Sequence, residues 1–115
     1  MLRGYAIQEK NLVLYWEAGE RAAGDGVVFV HLFDAQGKFV AGADGRPRNG
    51  GYSTLAWQAR EGIADAHSLP DVPAGTYMLK IGMYDAGTQG RFAVSSADGA
   101  VLPDGILPLG TIAIP

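Results

Sequence analysis

The run VVFVHLF, from Val27 to Phe33, is apolar on both of its alternating faces: Val28, Val30 and Leu32 fall on one, Val27, Phe29 and Phe33 on the other. A strand with no fully solvated face needs cover on both sides and belongs inside a sheet. A second run, Leu12 to Glu17 (LVLYWE), places Leu12, Leu14 and Trp16 on one face. The glycines and Asp25 of AGERAAGDG separate the two runs as a loop. The clearest strand pattern is Thr76 to Tyr84 (TYMLKIGMY). Tyr77, Leu79, Ile81 and Met83 alternate as a core face, while Lys80, Gly82 and Tyr84 fall on the opposite set. Weaker runs at GYAIQ, Lys38–Ala41, Tyr52–Trp57, Ile63–Leu69, Phe92–Val94 and Thr111–Ile114 bring the expected number to eight or nine. Helical periodicity is nearly absent, so the expectation is one all-β domain over residues 1–115. Its architecture is a two-sheet antiparallel sandwich of the immunoglobulin-like or jelly-roll kind.

The turns carry their own chemistry. In DAQGKFV, Asp34 can cap its own backbone turn and Gly37 can take the positive φ of a tight hairpin. The chain has 17 glycines in 115 residues, about double ordinary usage, which signals many turns. Ala41 to Gly51 (AGADGRPRNGG) is the richest in glycine and is expected to be the longest irregular and most mobile segment. In PAGTY, Tyr77 opens a strand in the manner of a tyrosine corner.

Composition closes off several function classes. A net charge of −3 gives no cationic footprint for wrapping nucleic acid or lying on an anionic membrane. The absence of cysteine removes disulfides, thiolate metal sites and a cysteine nucleophile. No stretch approaches the roughly 18 consecutive apolar residues of a membrane span, and the first residues lack the apolar core of a signal peptide.

Catalytic constellations are also missing. His31 sits among Val, Phe and Leu and reads as a packed side chain. His67 shares a strand face with Asp65 and can be oriented by it, but no GxSxG elbow or nucleophile accompanies the pair. Asp34, Asp44, Asp65, Asp71, Asp85, Asp98 and Asp104 are dispersed and read as turn caps, not as a glycosidase pair or a DxDxDG calcium loop. The expectation is a non-enzyme without cofactor or metal. Arg46 and Arg48, in the glycine-rich loop, can offer guanidinium forks to an anion, though no GK[ST] ending or following helix supports a phosphate cradle.

Three aromatic residues are candidates for stacking on the apolar face of a sugar: Tyr52 and Trp57, beside the glycine-rich loop, and Tyr84, at the end of the longest strand. Together with Arg46 and Arg48 they form the sequence-derived ligand site.

LPDVPAGTYMLKIGMYD (Leu69 to Asp85) resembles the "lP, xPxGxYxLxVGLYD" ending of many extracytoplasmic bacterial β-sandwich domains. With it, in order, stand LVLYWEA (Leu12 to Ala18), FVHLFDAQGK (Phe29 to Lys38) and GYSTLAW (Gly51 to Trp57). The set is similar to the sandwich domain that trails some bacterial multi-pass membrane glycosyltransferases of the mannosyltransferase type and occurs in other surface proteins. The chain departs from that pattern at AREGIADA, where the family more often has Pro-Gly-Glu after the tryptophan. The resemblance implies an accessory module outside the cytoplasm that binds or positions, and the three aromatics make carbohydrate its candidate partner. The alternative is an interaction domain that packs on a neighbouring domain or forms a homodimer through an edge strand.

Overall fold

A computed structural model describes residues 1–20, 24–97, 99, 101–102 and 105–115. Asp98 and Asp104, read above as turn acids, lie outside the described residues. The strands are β1 (Leu2–Gln8), β2 (Asn11–Glu17), β3 (Gly26–Phe33), β4 (Phe39–Gly45), β5 (Gly62–Ser68), β6 (Gly75–Asp85), β7 (Val94–Ser95), β8 (Val101–Leu102) and β9 (Ile106–Ile114). All pairings are antiparallel, in a three-stranded sheet ordered β1-β2-β5, a four-stranded sheet ordered β4-β3-β6-β9, and the short β7-β8 ribbon. With β4 remaining beside β3 while β5 returns to β2, this is the immunoglobulin-type Greek key and not a jelly roll.

The alternating faces fall as the sequence patterns require. Leu12, Leu14, Trp16 and Ile63 from the smaller sheet meet Val28, Val30, Leu32, Leu79, Ile81, Met83, Leu107, Ile112 and Ile114 from the larger in one buried cluster. Tyr77 is buried at the start of β6, and its hydroxyl donates to the carbonyl of Pro73 at 2.6 Å, closing the tyrosine corner. Asp34 Oδ1 accepts from the backbone N–H groups of Gln36 and Lys38 in the β3-β4 hairpin, where Gly37 has φ +78°. Among the turn acids, Asp85 Oδ2 accepts from the N–H of Gly87 and Thr88, and Oδ1 from that of Asp25.

Three expectations change. Tyr52–Trp57 is not a strand: Thr54–Ala56 forms a single 3-10 turn, because the Ser53 hydroxyl accepts from the Leu55 N–H and Thr54 turns inward to serve Gly24 and Gly26. Ala41–Gly51 is not irregular throughout, since its first five residues finish β4, and Pro47–Gly50 forms a compact turn in which Arg48 and Asn49 take left-handed backbone angles. Asp44 and Asp65 stand in strands and not in turns.

Bulges mark the sheet margins. Arg3 on β1, Val40 on β4 and Leu109 on β9 are each the extra residue opposite a continuous partner. Left out of the ladder, the Leu109 carbonyl accepts the Tyr5 hydroxyl at 2.7 Å and ties the margin of one sheet to that of the other. On the opposite side, the turn at Pro47–Gly50 packs against β5.

Candidate functional site

The outer face of the four-stranded sheet carries rings and charges that the core does not use. Along β3, Phe29, His31 and Phe33 point away from the sandwich interior, since the alternate residues Val28, Val30 and Leu32 are core. Register then decides their neighbours. Phe29 is flanked by Asp44 on β4 and Gly82 on β6, His31 by Gly42 and Lys80, and Phe33 by Phe39 and Met78. A methyl group on Gly82 would collide with the Phe29 ring and the Gly105 carbonyl oxygen, and one on Gly42 would lie 2.9 Å from His31 Cδ2. Both rings therefore lie down over glycines of the neighbouring strands.

The result is a continuous aromatic patch. Ring centroids are 4.7 Å apart for Phe29 and His31, 5.1 Å for His31 and Phe39, and 5.8 Å for Phe33 and Phe39. Tyr84 stacks at 6.5 Å from Phe29, and its hydroxyl donates to Asp44 Oδ2 at 2.8 Å. Arg91 bridges to Tyr84 and brings its guanidinium 5.6 Å from the Phe29 ring centre, while Lys80 Nζ sits 4.5 Å over Phe33. Between these groups lies a groove of about 330 Å³ lined by Phe29, His31, Asp44, Tyr84, Gln89 and Arg91.

Electrostatics follow from this packing. The bond to Asp44 raises the Tyr84 pKa, with burial and the Asp44 charge acting the same way and Arg46 opposing them. Burial lowers the His31 pKa, Arg91 adds to that, and Asp44 opposes it. The phenol thus stays protonated as a donor to Asp44, and the imidazole is held toward its neutral form, with one donor and one acceptor nitrogen.

Of the sequence-derived site residues, only Tyr84 lines this groove. Tyr52 and Trp57 lie near the end of the sandwich, where the Tyr52 hydroxyl donates to Glu61 and the Trp57 indole N–H donates to the Tyr52 carbonyl. Arg46 is clamped to Asp25 at 3.2 Å. Arg48 is held by its backbone, whose N–H donates to Asp65.

A second cavity of about 280 Å³ opens at the end of the sandwich among Trp16, Trp57, Met83, Phe92 and Val94. Its lining also carries the Met1 amino group, which donates to the Glu17 carbonyl, and Glu17, paired with Arg3; the two indole N–H groups bond to Asp65 and to the Tyr52 carbonyl, and the Thr54 hydroxyl is used by Gly24 and Gly26. These polar groups are engaged within the protein, whereas the outer groove sets rings beside Gln89 and Arg91.

Sequence reasoning missed Phe29, His31, Asp44, Gln89 and Arg91 as site residues. Part of the signal was present, since Phe29, His31 and Phe33 share one parity on β3 opposite a purely aliphatic set.

The remaining titratable pair is structural. Asp65 and His67 are hydrogen-bonded at 2.5 Å, and both are buried on the inner face of β5. Among the described residues no three of His, Asp and Glu converge as metal ligands, and no helix is long and apolar enough to cross a membrane. Compared with known proteins, the chain matches no family model, no curated protein and no solved structure.

Proposed function

We propose that this domain is a non-catalytic binding module whose ligand is carbohydrate, held on the outer face of the four-stranded sheet. One observation carries the reading: the half-buried rings of His31 and Tyr84, packed on a buried Phe29, share a single groove with Asp44, Gln89 and Arg91. A sugar presents apolar C–H faces ringed by hydroxyls that both donate and accept, so a site for it combines aromatic surface with donors and acceptors of fixed position. Asp44 supplies an acceptor, Arg91 donors, and Gln89 and His31 one of each. The groove volume falls at the lower end of the range of roughly 300–1,000 Å³ for small-ligand sites. The resemblance to sandwich domains trailing membrane glycosyltransferases supports the same reading, with the module acting outside the cytoplasm as an accessory to chemistry performed elsewhere in a larger envelope protein.

A glycan array followed by calorimetry tests it. Binding to a defined set of glycans that is lost in Tyr84→Ala and in Asp44→Ala, with the fold intact by circular dichroism, is the expected result. An array without hits above background refutes the reading, as does binding that survives both substitutions.

A further inference from the structure

Resting on that reading of the outer face, we propose that the ligand is an acidic sugar chain, laid along β3 with its anionic groups on Lys80 and Arg91. Arg3, Lys10, Arg46 and Arg60 are each within 4.0 Å of a carboxylate, on Glu17, Asp71, Asp25 and Glu20 respectively. Lys80, like Lys38 and Arg48, has no carboxylate at that distance among the described residues, and of these three Lys80 is the one held over an aromatic ring. Its ammonium is held over the Phe33 ring, which fixes its position and leaves its N–H donors able to meet an anionic ligand. The Arg91 guanidinium stands over the Phe29 ring and lines the groove itself, so a ligand seated there meets it directly. The carboxylate lining the groove, that of Asp44, has one oxygen engaged by Tyr84.

Spacing and shape argue for a chain and not a single sugar. Arg91 pairs with Tyr84, four residues along β6 from Lys80. At about 3.3 Å per residue the backbone positions from which the two cations extend stand on the order of 13 Å apart, a separation that suits linked sugars better than one. Between them the rings of His31 and Phe29 lie down over Gly42 and Gly82, and the face they form follows the strand. Both a uronate carboxylate and a sulfate ester would satisfy Lys80 and Arg91, and they share the chemistry inferred here.

Titration calorimetry of the whole domain with hexagalacturonate, with its carboxyl-reduced neutral form, with a sulfated hexasaccharide and with polyglutamate distinguishes the cases. The expected result is binding of one or both acidic sugars about tenfold tighter than the reduced chain. That preference should fade in high salt and disappear in the Lys80→Gln/Arg91→Gln double variant, while the charge-conserving Lys80→Arg/Arg91→Lys variant should retain part of it. Equal binding of the reduced chain overturns the acidic ligand and leaves the sugar reading standing. Polyglutamate binding as tightly as the sugars overturns the inference in favour of unspecific charge attraction. No binding of any sugar, here and across the array, overturns both.

Discussion

The carboxylate of Asp65, in the middle of β5, accepts the backbone N–H of Arg48 at 2.7 Å, joining the turn after β4 to the interior of the opposite sheet. Its other oxygen takes the Trp16 indole N–H at 3.2 Å and the His67 imidazole. Asp65 is fully buried, and every buried side-chain polar atom among the described residues has a hydrogen-bond partner. A buried acid with three donors is a fastener, because removing it strands each donor in an apolar interior. Asp65→Ala should cost about 3–5 kcal/mol in urea denaturation, and the Arg48 amide should exchange with solvent faster. Trp16→Phe, which loses one donor and little volume, should cost about 1–2 kcal/mol. An Asp65→Ala variant of unchanged stability would contradict this role.

Gly82→Ala tests the floor of the groove. The added methyl group meets the Phe29 ring and a backbone carbonyl, and only the ring can give way. The expected cost is about 1–3 kcal/mol, accompanied by large changes in the aromatic NMR signals of Phe29 and Tyr84 and loss of glycan binding. Wild-type ring signals in the variant would show that Phe29 does not lie over Gly82.

Tyr77→Phe removes the hydroxyl that reaches Pro73 while keeping the buried ring. A loss of about 1 kcal/mol is expected. Leu79→Ala, two residues along the same face and fully buried, should cost about 2–5 kcal/mol. A Tyr77→Phe variant more stable than the parent would mean that the corner is ornamental.

Acid should act in two stages. Burial lowers the His31 pKa, so the folded state resists protonating this imidazole. Its effect is absent above about pH 6.5 and becomes destabilising as pH falls from there toward the folded value. Asp85 works through a lowered carboxyl pKa, caused first by the Thr88 backbone N–H and helped by those of Asp25 and Gly87. Its stabilisation is present above the unfolded carboxylate value of about 3.9 and is lost as pH falls through the folded one. Denaturation midpoints between pH 8 and pH 2 should show both steps, and His31→Gln should flatten only the upper one. An NMR titration midpoint for His31 at or above 6.5 would remove the first.

Much of this was legible in the residues because side-chain parity is local. Leu12, Leu14 and Trp16, and likewise Tyr77, Leu79, Ile81 and Met83, declared their faces by alternation alone. The same rule placed Asp65 and His67 with Ile63 and Leu69, yet polarity argued for the surface, and only the donors converging on Asp65 make its burial tolerable. YSTLAW has strand composition, but beside the local Ser53 cap the Thr54 hydroxyl is committed to Gly24 and Gly26, far off in sequence. The groove was least legible of all. Placing Asp44 under Tyr84, or Phe29 over Gly82, requires the register between three strands, and a single sequence does not state which residue of one strand faces which of the next.

The bulges at Arg3, Val40 and Leu109 bear on life among many copies. A margin with a kinked, over-twisted backbone is a poor template for a straight strand from a neighbour. Molecules crowded side by side on a surface, or freshly made and still searching for their fold, would meet blunted rims. At these three strands an added strand finds no straight edge to extend.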